Sequence, residues 1–223
     1  MNKLKIPEKI IEEYLKTGIL AIGEYHGVQE NYEVYKNILN SLPNIPNLAV
    51  EVKDTERIEF EKFLMGKEFN PSKFRDEGRL NLEFFNFLKY FKENYPNKKI
   101  IYFDEMDSDL ELLKQKNFSR DEHMANNFLE KLEKPIIIIA GNLHLQKNII
   151  NLGNKQISPM GHLIKEKIGD FPFISVVPMS GSQYNYGVKE LDIITDRNAN
   201  EFYEKEDNKY LLFIEKATPS TPF

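Results

Sequence analysis

The sequence predicts an α/β fold with a mainly parallel central sheet and helices on both faces of that sheet. Two observations support this prediction. Short apolar runs, typical of buried parallel strands, alternate along the chain with segments whose apolar residues recur at helical spacing. This alternation is typical of folds in which helices connect parallel strands and cover both faces. The 223 residues contain no internal repeat, so we expect a single domain over residues 1–223.

Short apolar runs predict the strands, because each run ends at glycine or at a polar residue. The first four predicted strands are residues 19–22, 48–50, 100–103 and 136–140. Three later runs are expected to complete the sheet, at residues 173–177, 191–195 and 210–214. These last three lie closer together along the chain, so one of them could run antiparallel to its neighbours.

Apolar positions three and four residues apart predict the helices. The predicted helices are residues 6–15, 29–42, 56–65, 81–95, 120–132 and 159–168. Two connections, residues 66–78 and 181–187, show neither pattern. Loops of this kind often carry function, so we expect these two to form lids or walls of a substrate pocket.

Composition excludes several classes of function. The net charge is −5, so electrostatic attraction to a nucleic acid or to an anionic membrane is not expected. The chain contains no cysteine, which excludes disulfides, thiolate catalysis and cysteine-ligated zinc. Hydrophobic residues make up 41% of the chain, enough for a substantial core. We expect a small-molecule substrate as the partner, and the oligomeric state is left open.

The N-terminal segment predicts a cytoplasmic location. Residues 1–16 mix charges of both signs and lack the apolar stretch of an export signal. The longest apolar run, residues 135–140, is much shorter than a membrane-spanning helix. We therefore expect no membrane span.

Polar side chains follow the first four predicted strands, where each strand ends. These side chains are Glu24 and His26, Glu51, Asp104 and Glu105, and His144. Because the carboxyl ends of parallel strands share one edge of the sheet, we expect these residues to converge there. Two histidines are in the same local context, each three residues after a glycine, although the chain has only four histidines.

Histidines and carboxylates at one edge predict either a metal site or an acid–base site. Neutral imidazoles and a carboxylate are ordinary ligands of zinc, manganese or iron, and the ligands here would be His26, Glu51 and His144. Such a metal would lower the pKa of a bound water. Without a metal, a histidine oriented by a carboxylate can itself deprotonate water.

The same residues also have purely structural explanations. A histidine at a strand end often only makes hydrogen bonds, and Glu24 could stabilise the N-terminus of the next helix. Glu51, if buried, could simply pair with Arg120. His123 could be a surface residue, and the acidic residues among 104–109 could form a solvated turn.

Four segments resemble known motifs. The Gly-Glu-Tyr-His sequence of residues 23–26 resembles the Gly-Glu-x-His element of ChaN-like haem-uptake proteins, and it is one residue shorter than the erythromycin-esterase element. The Gly-Asn-Leu-His sequence of residues 141–144 resembles the second Gly-x-x-His motif shared with TIKI and TraB proteins. Residues 48–51 are similar to the strand that carries the family glutamate, and residues 120–127 resemble the arginine-containing Met-Ala-x-Asn helix of erythromycin esterases. The chain thus resembles the erythromycin esterase, ChaN and TIKI superfamily, nearest its ChaN and TIKI branch.

This resemblance implies an EreA/ChaN-like α/β domain that hydrolyses an ester, lactone or amide bond. His26 would be the general base or a metal ligand, and Glu24 and Glu51 would orient it or activate water. His144 would be a second ligand or would stabilise the transition state. Arg120 would pair with a carboxylate or polarise the substrate carbonyl.

The resemblance also implies alternatives to hydrolysis. A ChaN-type protein would bind haem or another small molecule without catalysis, and Tyr25 or His123 would then be the cofactor-binding residue. A third alternative is a family member that keeps the fold and has lost activity.

Overall fold

The computed structural model of the protein describes residues 4–74, 78, 80–104, 119–153, 155–193, 195–206 and 208–222. Glu105, Asp107 and Asp109, three of the acidic residues that follow the third predicted strand, lie outside this part of the chain. The described residues form six α-helices and eleven strands.

The elements of the first half are α1 (Glu8–Thr17), β1 (Ile19–Glu24), α2 (Glu30–Ser41), β2 (Asn47–Val50), α3 (Asp54–Leu64), α4 (Leu82–Asn94) and β3 (Ile100–Tyr102). The elements of the second half are α5 (Arg120–Glu130), β4 (Ile136–Gly141), β5 (Ile150–Leu152), β6 (Lys155–Ile157), α6 (Met160–Ile168), β7 (Phe173–Pro178), β8 (Ser180–Tyr184), β9 (Val188–Asp192), β10 (Phe202–Glu206) and β11 (Lys209–Ile214).

Seven strands form the central sheet in the order β10-β11-β7-β1-β4-β2-β3. All neighbours in this sheet pair in parallel except β10, which runs antiparallel to β11 at one edge. The predicted fold class, a mainly parallel sheet with helices on both faces, is confirmed. The carboxyl ends of β1, β4, β2 and β3 therefore lie along one edge.

The two faces of the sheet have separate cores, which explains why the strand sequences are apolar throughout. Leu20 and Ile22 of β1 pack with residues of α1, α2 and α4. Ile19 and Ala21, which point the other way because side chains alternate along a strand, pack with residues of α5 and α6. Both sets are buried, so β1 has no polar face.

The C-terminal third differs from the prediction. The strand predicted at residues 191–195 is not found in the central sheet: of its described residues, Leu191 and Asp192 belong to β9, which pairs with β8 in a separate antiparallel hairpin. That hairpin includes residues 181–184, which were expected in a loop. The strand that does occupy the sheet edge, β10, has the sequence Phe-Tyr-Glu-Lys-Glu. Because an edge strand is partly solvated, it lacks the apolar run that identifies a buried strand, and sequence patterning missed it.

The β8–β9 hairpin packs on the segment that follows β1. The backbone N–H of Tyr184 donates to the carbonyl of Gly27 at 2.9 Å, and Ser220 near the C-terminus donates to the same carbonyl at 2.9 Å. Gly27 has a φ of +73°, and a Cβ atom there would overlap the carbonyl oxygen of Tyr184. Glycine is therefore required at position 27 both for its backbone conformation and for this close approach.

No helix in the described part of the chain is long and apolar enough to span a membrane.

Replacing Gly27 with alanine tests how tightly the hairpin is attached. Gly66→Ala is a matched control, because Gly66 also has a left-handed φ of +64° but faces open space. The control should lower the free energy of unfolding by about 1–2 kcal/mol, the backbone contribution alone. In Gly27→Ala the new Cβ atom also collides with the carbonyl oxygen of Tyr184. Urea unfolding of this variant should therefore show a larger loss of unfolding free energy than the control. If both variants lost the same unfolding free energy, the β8–β9 hairpin would be able to move away from position 27 at little cost.

Candidate active site

Parallel pairing brings the two glycine–histidine motifs together. Strands β1 and β4 are neighbours, and Glu24 is the register partner of Gly141. His26 and His144 follow these positions closely along the chain, so both imidazoles reach the same edge of the sheet. They line a cavity of about 500 Å³. The cavity is lined by Glu24, Tyr25, His26, Glu51, Arg120, Gly141, Asn142, Leu143, His144, Gln183, Asn185 and Tyr186.

His26 forms a dyad with Glu24. The imidazole Nδ1 lies 2.7 Å from Oε1 of Glu24, whose carboxylate is almost fully buried. The second carboxylate oxygen accepts a hydrogen bond from the hydroxyl of the buried Tyr35. A carboxylate at Nδ1 favours the tautomer that carries its proton there, which leaves the lone pair on Nε2. His26 is thus oriented as a proton acceptor.

His144 forms a second dyad with Asp121. The imidazole Nδ1 lies 2.8 Å from Oδ1 of Asp121, and the same oxygen accepts the backbone N–H of Met160 at 2.8 Å. Burial alone would lower the pKa of His144, but the negative charge of Glu51 and the hydrogen bond with Asp121 outweigh it and raise the pKa above its ordinary value. The imidazolium form of His144 is therefore more favourable than that of a free imidazole.

Gly141 lies between the two imidazoles. A Cβ atom at this position would be 2.8 Å from Nε2 of His26 and 3.6 Å from Cδ2 of His144. Any larger residue would push the His26 ring out of place. Position 141, at the end of β4, therefore has to be glycine because the ring of His26, which follows the neighbouring strand β1, occupies the space that a side chain would fill.

Glu51 and Asp104 hold Arg120 at the edge of the cavity. The Nη2 atom of Arg120 lies 2.8 Å from Oε1 of Glu51 and 2.6 Å from Oδ2 of Asp104, and Nε lies 3.2 Å from Oδ1 of Asp104. Glu51 also accepts the backbone N–H of Gly141 at 2.9 Å. Both carboxylates are buried, and such charges need partners of this kind. The pairing offered as a structural explanation of Glu51 is therefore present.

The remaining candidate residues divide in two. Tyr25 lines the cavity, whereas His123, one turn along α5 from Arg120, is not among the lining residues. Sequence reasoning missed Asp121 and Tyr35, the carboxylate and the hydroxyl that support the two dyads. Asp121 directly follows Arg120 in the segment of residues 120–127 that resembles the erythromycin-esterase helix. Tyr35 gave a weaker signal, a hydroxyl on the buried face of α2.

The predicted metal ligands do not fit a metal ion well. His26 and His144 each bind a carboxylate through Nδ1, an arrangement often seen behind metal-bound histidines. The third donor, Glu51, is paired with the cationic Arg120, and this charge opposes a second cation at the same oxygen. In the described residues, no three side chains of histidine, aspartate or glutamate form a group that could hold a metal. The metal requirement stays a prediction, and no chemical step below depends on it.

No protein-family profile matches this sequence, and no curated protein matches it. Solved structures do match its fold. A succinoglycan biosynthesis protein aligns with a TM-score of 0.63 at 12% identity, covering 97% of this chain and 91% of that one. A Bacillus cereus protein aligns with a TM-score of 0.61 at 14% identity, covering 92% of this chain and 90% of that one. At these identities the shared feature is the fold.

A third structural match is the C-terminal region of Pasteurella multocida toxin, described as having a thiol-protease-like catalytic triad. The TM-score is 0.52 at 18% identity, and the alignment covers 77% of this chain but only 24% of that chain. The present chain has no cysteine. A thiol nucleophile therefore cannot be carried over to it.

The environment of His144 predicts a pH dependence of stability. Because its pKa is raised on folding, protonated His144 stabilises the fold fully below the unfolded-state value of about 6.5. This contribution is lost as the pH rises through the higher folded-state value. Asp121→Asn removes a negative charge and should lower the pKa of His144 in an NMR titration of its Cε1 proton.

Asp121→Asn should also make the unfolding free energy fall less as the pH rises from the unfolded-state pKa of His144 through its higher folded-state pKa. If the pKa of His144 were the same in Asp121→Asn as in the wild type, Asp121 would not be the residue that raises it.

Proposed function

We propose that the protein is a hydrolase that cleaves an ester, lactone or amide bond with a water molecule activated by His26. The observation that supports this most is the pair of histidine–carboxylate dyads facing one cavity. In one dyad Glu24 orients His26 through Nδ1, and at the other Glu51 and Asp121 raise the pKa of His144. Two imidazoles that are each oriented by a carboxylate at one cavity are typical of an acid–base site.

In the first step, Nε2 of His26 takes a proton from water while the water oxygen bonds to the carbonyl carbon. The carbonyl π electrons move to its oxygen and give a tetrahedral oxyanion. The Glu24 carboxylate, 2.7 Å from Nδ1, stabilises the imidazolium that forms at His26. Tyr35 holds Glu24 in place through the other carboxylate oxygen.

An imidazolium at His144 would stabilise the oxyanion, and it is favoured because Glu51 and Asp121 raise the pKa of His144. Arg120 lines the same cavity, but Glu51 and Asp104 balance its charge, so its part is to hold these two carboxylates in place. Preorganised charges of this kind contribute strongly to catalysis of acyl transfer. In the second step the oxyanion re-forms the carbonyl, the carbon–oxygen or carbon–nitrogen bond breaks, and the leaving group takes the proton from His26.

Two independent considerations support hydrolysis by water. The absence of cysteine removes the thiolate route, so a nucleophile from solvent is the simplest that this cavity can activate. The resemblance to the erythromycin esterase, ChaN and TIKI superfamily rests on motifs that lie at the cavity, residues 23–26 and 141–144. The fold shared with the two nearly full-length structural matches is compatible with that superfamily.

Hydrolysis of 4-nitrophenyl acetate and of a simple lactone tests the proposal. His26→Ala should lower kcat/KM by about 10²- to 10⁴-fold, because a general base is lost. His162→Ala is the matched control: it also removes a partly buried imidazole, but one outside the cavity, so its activity should stay at the wild-type level. Both variants should keep the wild-type midpoint of urea unfolding.

Equal activity of His26→Ala and the wild type would overturn the assignment of the base. Titration with haem and elemental analysis of the purified protein test the alternatives. A strong Soret shift without turnover would favour a ChaN-type binding protein, in which Tyr25 at the cavity would be the tyrosine ligand. Stoichiometric zinc or manganese that is lost in His26→Ala would instead favour metal-dependent hydrolysis.

A further inference from the structure

The mouth of the cavity differs in chemistry from its floor. Charged and titratable groups lie at the floor, whereas two large apolar side chains lie exposed at the mouth: Leu143 is 63% exposed and Tyr186 is 64% exposed. They come from different parts of the chain, the segment between β4 and His144 and the turn of the β8–β9 hairpin. The other hairpin residues at the cavity, Gln183 and Asn185, carry no charge.

Tyr186 is held in an unusual backbone conformation. Its φ is +52°, in the left-handed region that bulky residues rarely adopt. The turn around it is closed by a hydrogen bond of 2.9 Å from the N–H of Asn185 to the carbonyl of Gly187. Unfavourable conformations of this kind persist where the surrounding structure imposes them, and they concentrate at functional sites.

The position of Tyr186 relative to the proposed base is set by the backbone. Tyr184, two residues earlier, is hydrogen-bonded to Gly27, and Gly27 directly follows His26. The hairpin is therefore attached to the loop that carries the base. A group that contacts Tyr186 in this cavity therefore lies in the same cavity as His26.

We infer that Tyr186 and Leu143 bind a flat, uncharged, apolar group of the substrate, next to the bond that is cleaved. The substrates would then be neutral esters or amides with an aromatic group, and this inference rests on the proposed hydrolysis. An aromatic ring can stack on the exposed tyrosine and cover the exposed leucine, which removes apolar surface from water. Arg120 is the only lysine or arginine among the described lining residues, and two carboxylates already neutralise it. The described residues at the mouth carry no charge, so an uncharged group fits this part of the lining best.

Kinetics with phenyl acetate and ethyl acetate test the inference. Tyr186→Asn removes the ring and keeps a residue that tolerates the left-handed conformation, so the hairpin should stay intact. The ratio of kcat/KM for phenyl acetate to that for ethyl acetate should fall roughly fivefold to tenfold relative to the wild type. Tyr186→Phe keeps the ring and should keep the ratio. Comparing ratios cancels the different intrinsic reactivity of the two esters.

Val188→Ala is the matched control. Val188 is 62% exposed on the same hairpin but does not line the cavity. Its substitution should leave the ratio unchanged. The inference is overturned if Tyr186→Asn leaves the ratio unchanged, or if Val188→Ala lowers it equally, since the effect would then come from the hairpin as a whole.

A binding measurement separates this inference from the proposed hydrolysis. Naphthalene-2-carboxamide and acetamide are titrated by calorimetry into His26→Ala protein, in which the proposed base is absent. The naphthyl amide should bind more tightly than acetamide, and adding Tyr186→Asn should weaken it roughly fivefold to tenfold. This result would hold even if no ester were cleaved. Equal binding of the two amides would refute the aromatic site, while loss of hydrolysis in His26→Ala would still support the proposed function.

Discussion

Parallel pairing of β1 with β4 is the constraint on which the rest of the site depends. Their register sets Glu24 opposite Gly141. After each of these two strands the backbone leaves the sheet and a histidine follows within three residues. The contact is so close that a side chain at Gly141 would meet the His26 ring. A shift of one residue in this register would turn the polar ends of both strands to the wrong faces and separate the imidazoles.

Two similar histidines acquire different properties from their surroundings. Each has a carboxylate at Nδ1, but His144 also faces Glu51, with 3.8 Å between its Nε2 and Oε1 of that residue. This additional negative charge helps to raise the pKa of His144 against the effect of burial. The surrounding carboxylates, and not the Gly-x-x-His motif itself, thus set the direction in which the pKa of His144 shifts.

The cavity combines a polar floor supplied by the central sheet with an apolar mouth supplied by other segments. The floor follows from the strand order, because β1, β4 and β2 are adjacent and polar residues of the cavity lie at or just after their carboxyl ends. The mouth depends on the β8–β9 hairpin, which lies outside the central sheet and is attached through Gly27. Tyr186 and the polar groups of the floor are therefore positioned by different elements, which are joined through Gly27.

The sequence by itself determined the alternation of buried strands and amphipathic helices, and with it the edge where Glu24, His26 and His144 gather. These features are local: an apolar run, a glycine and a polar residue in succession. Only the tertiary structure decided that Asp121 holds His144, that Tyr35 holds Glu24 and that β10 completes the sheet. The reason is physical, since a carboxylate becomes a partner through distance and burial, and an edge strand is partly solvated and so shows no apolar pattern. Neither the partner of a carboxylate nor the position of an edge strand can be predicted from the residues next to it in the sequence.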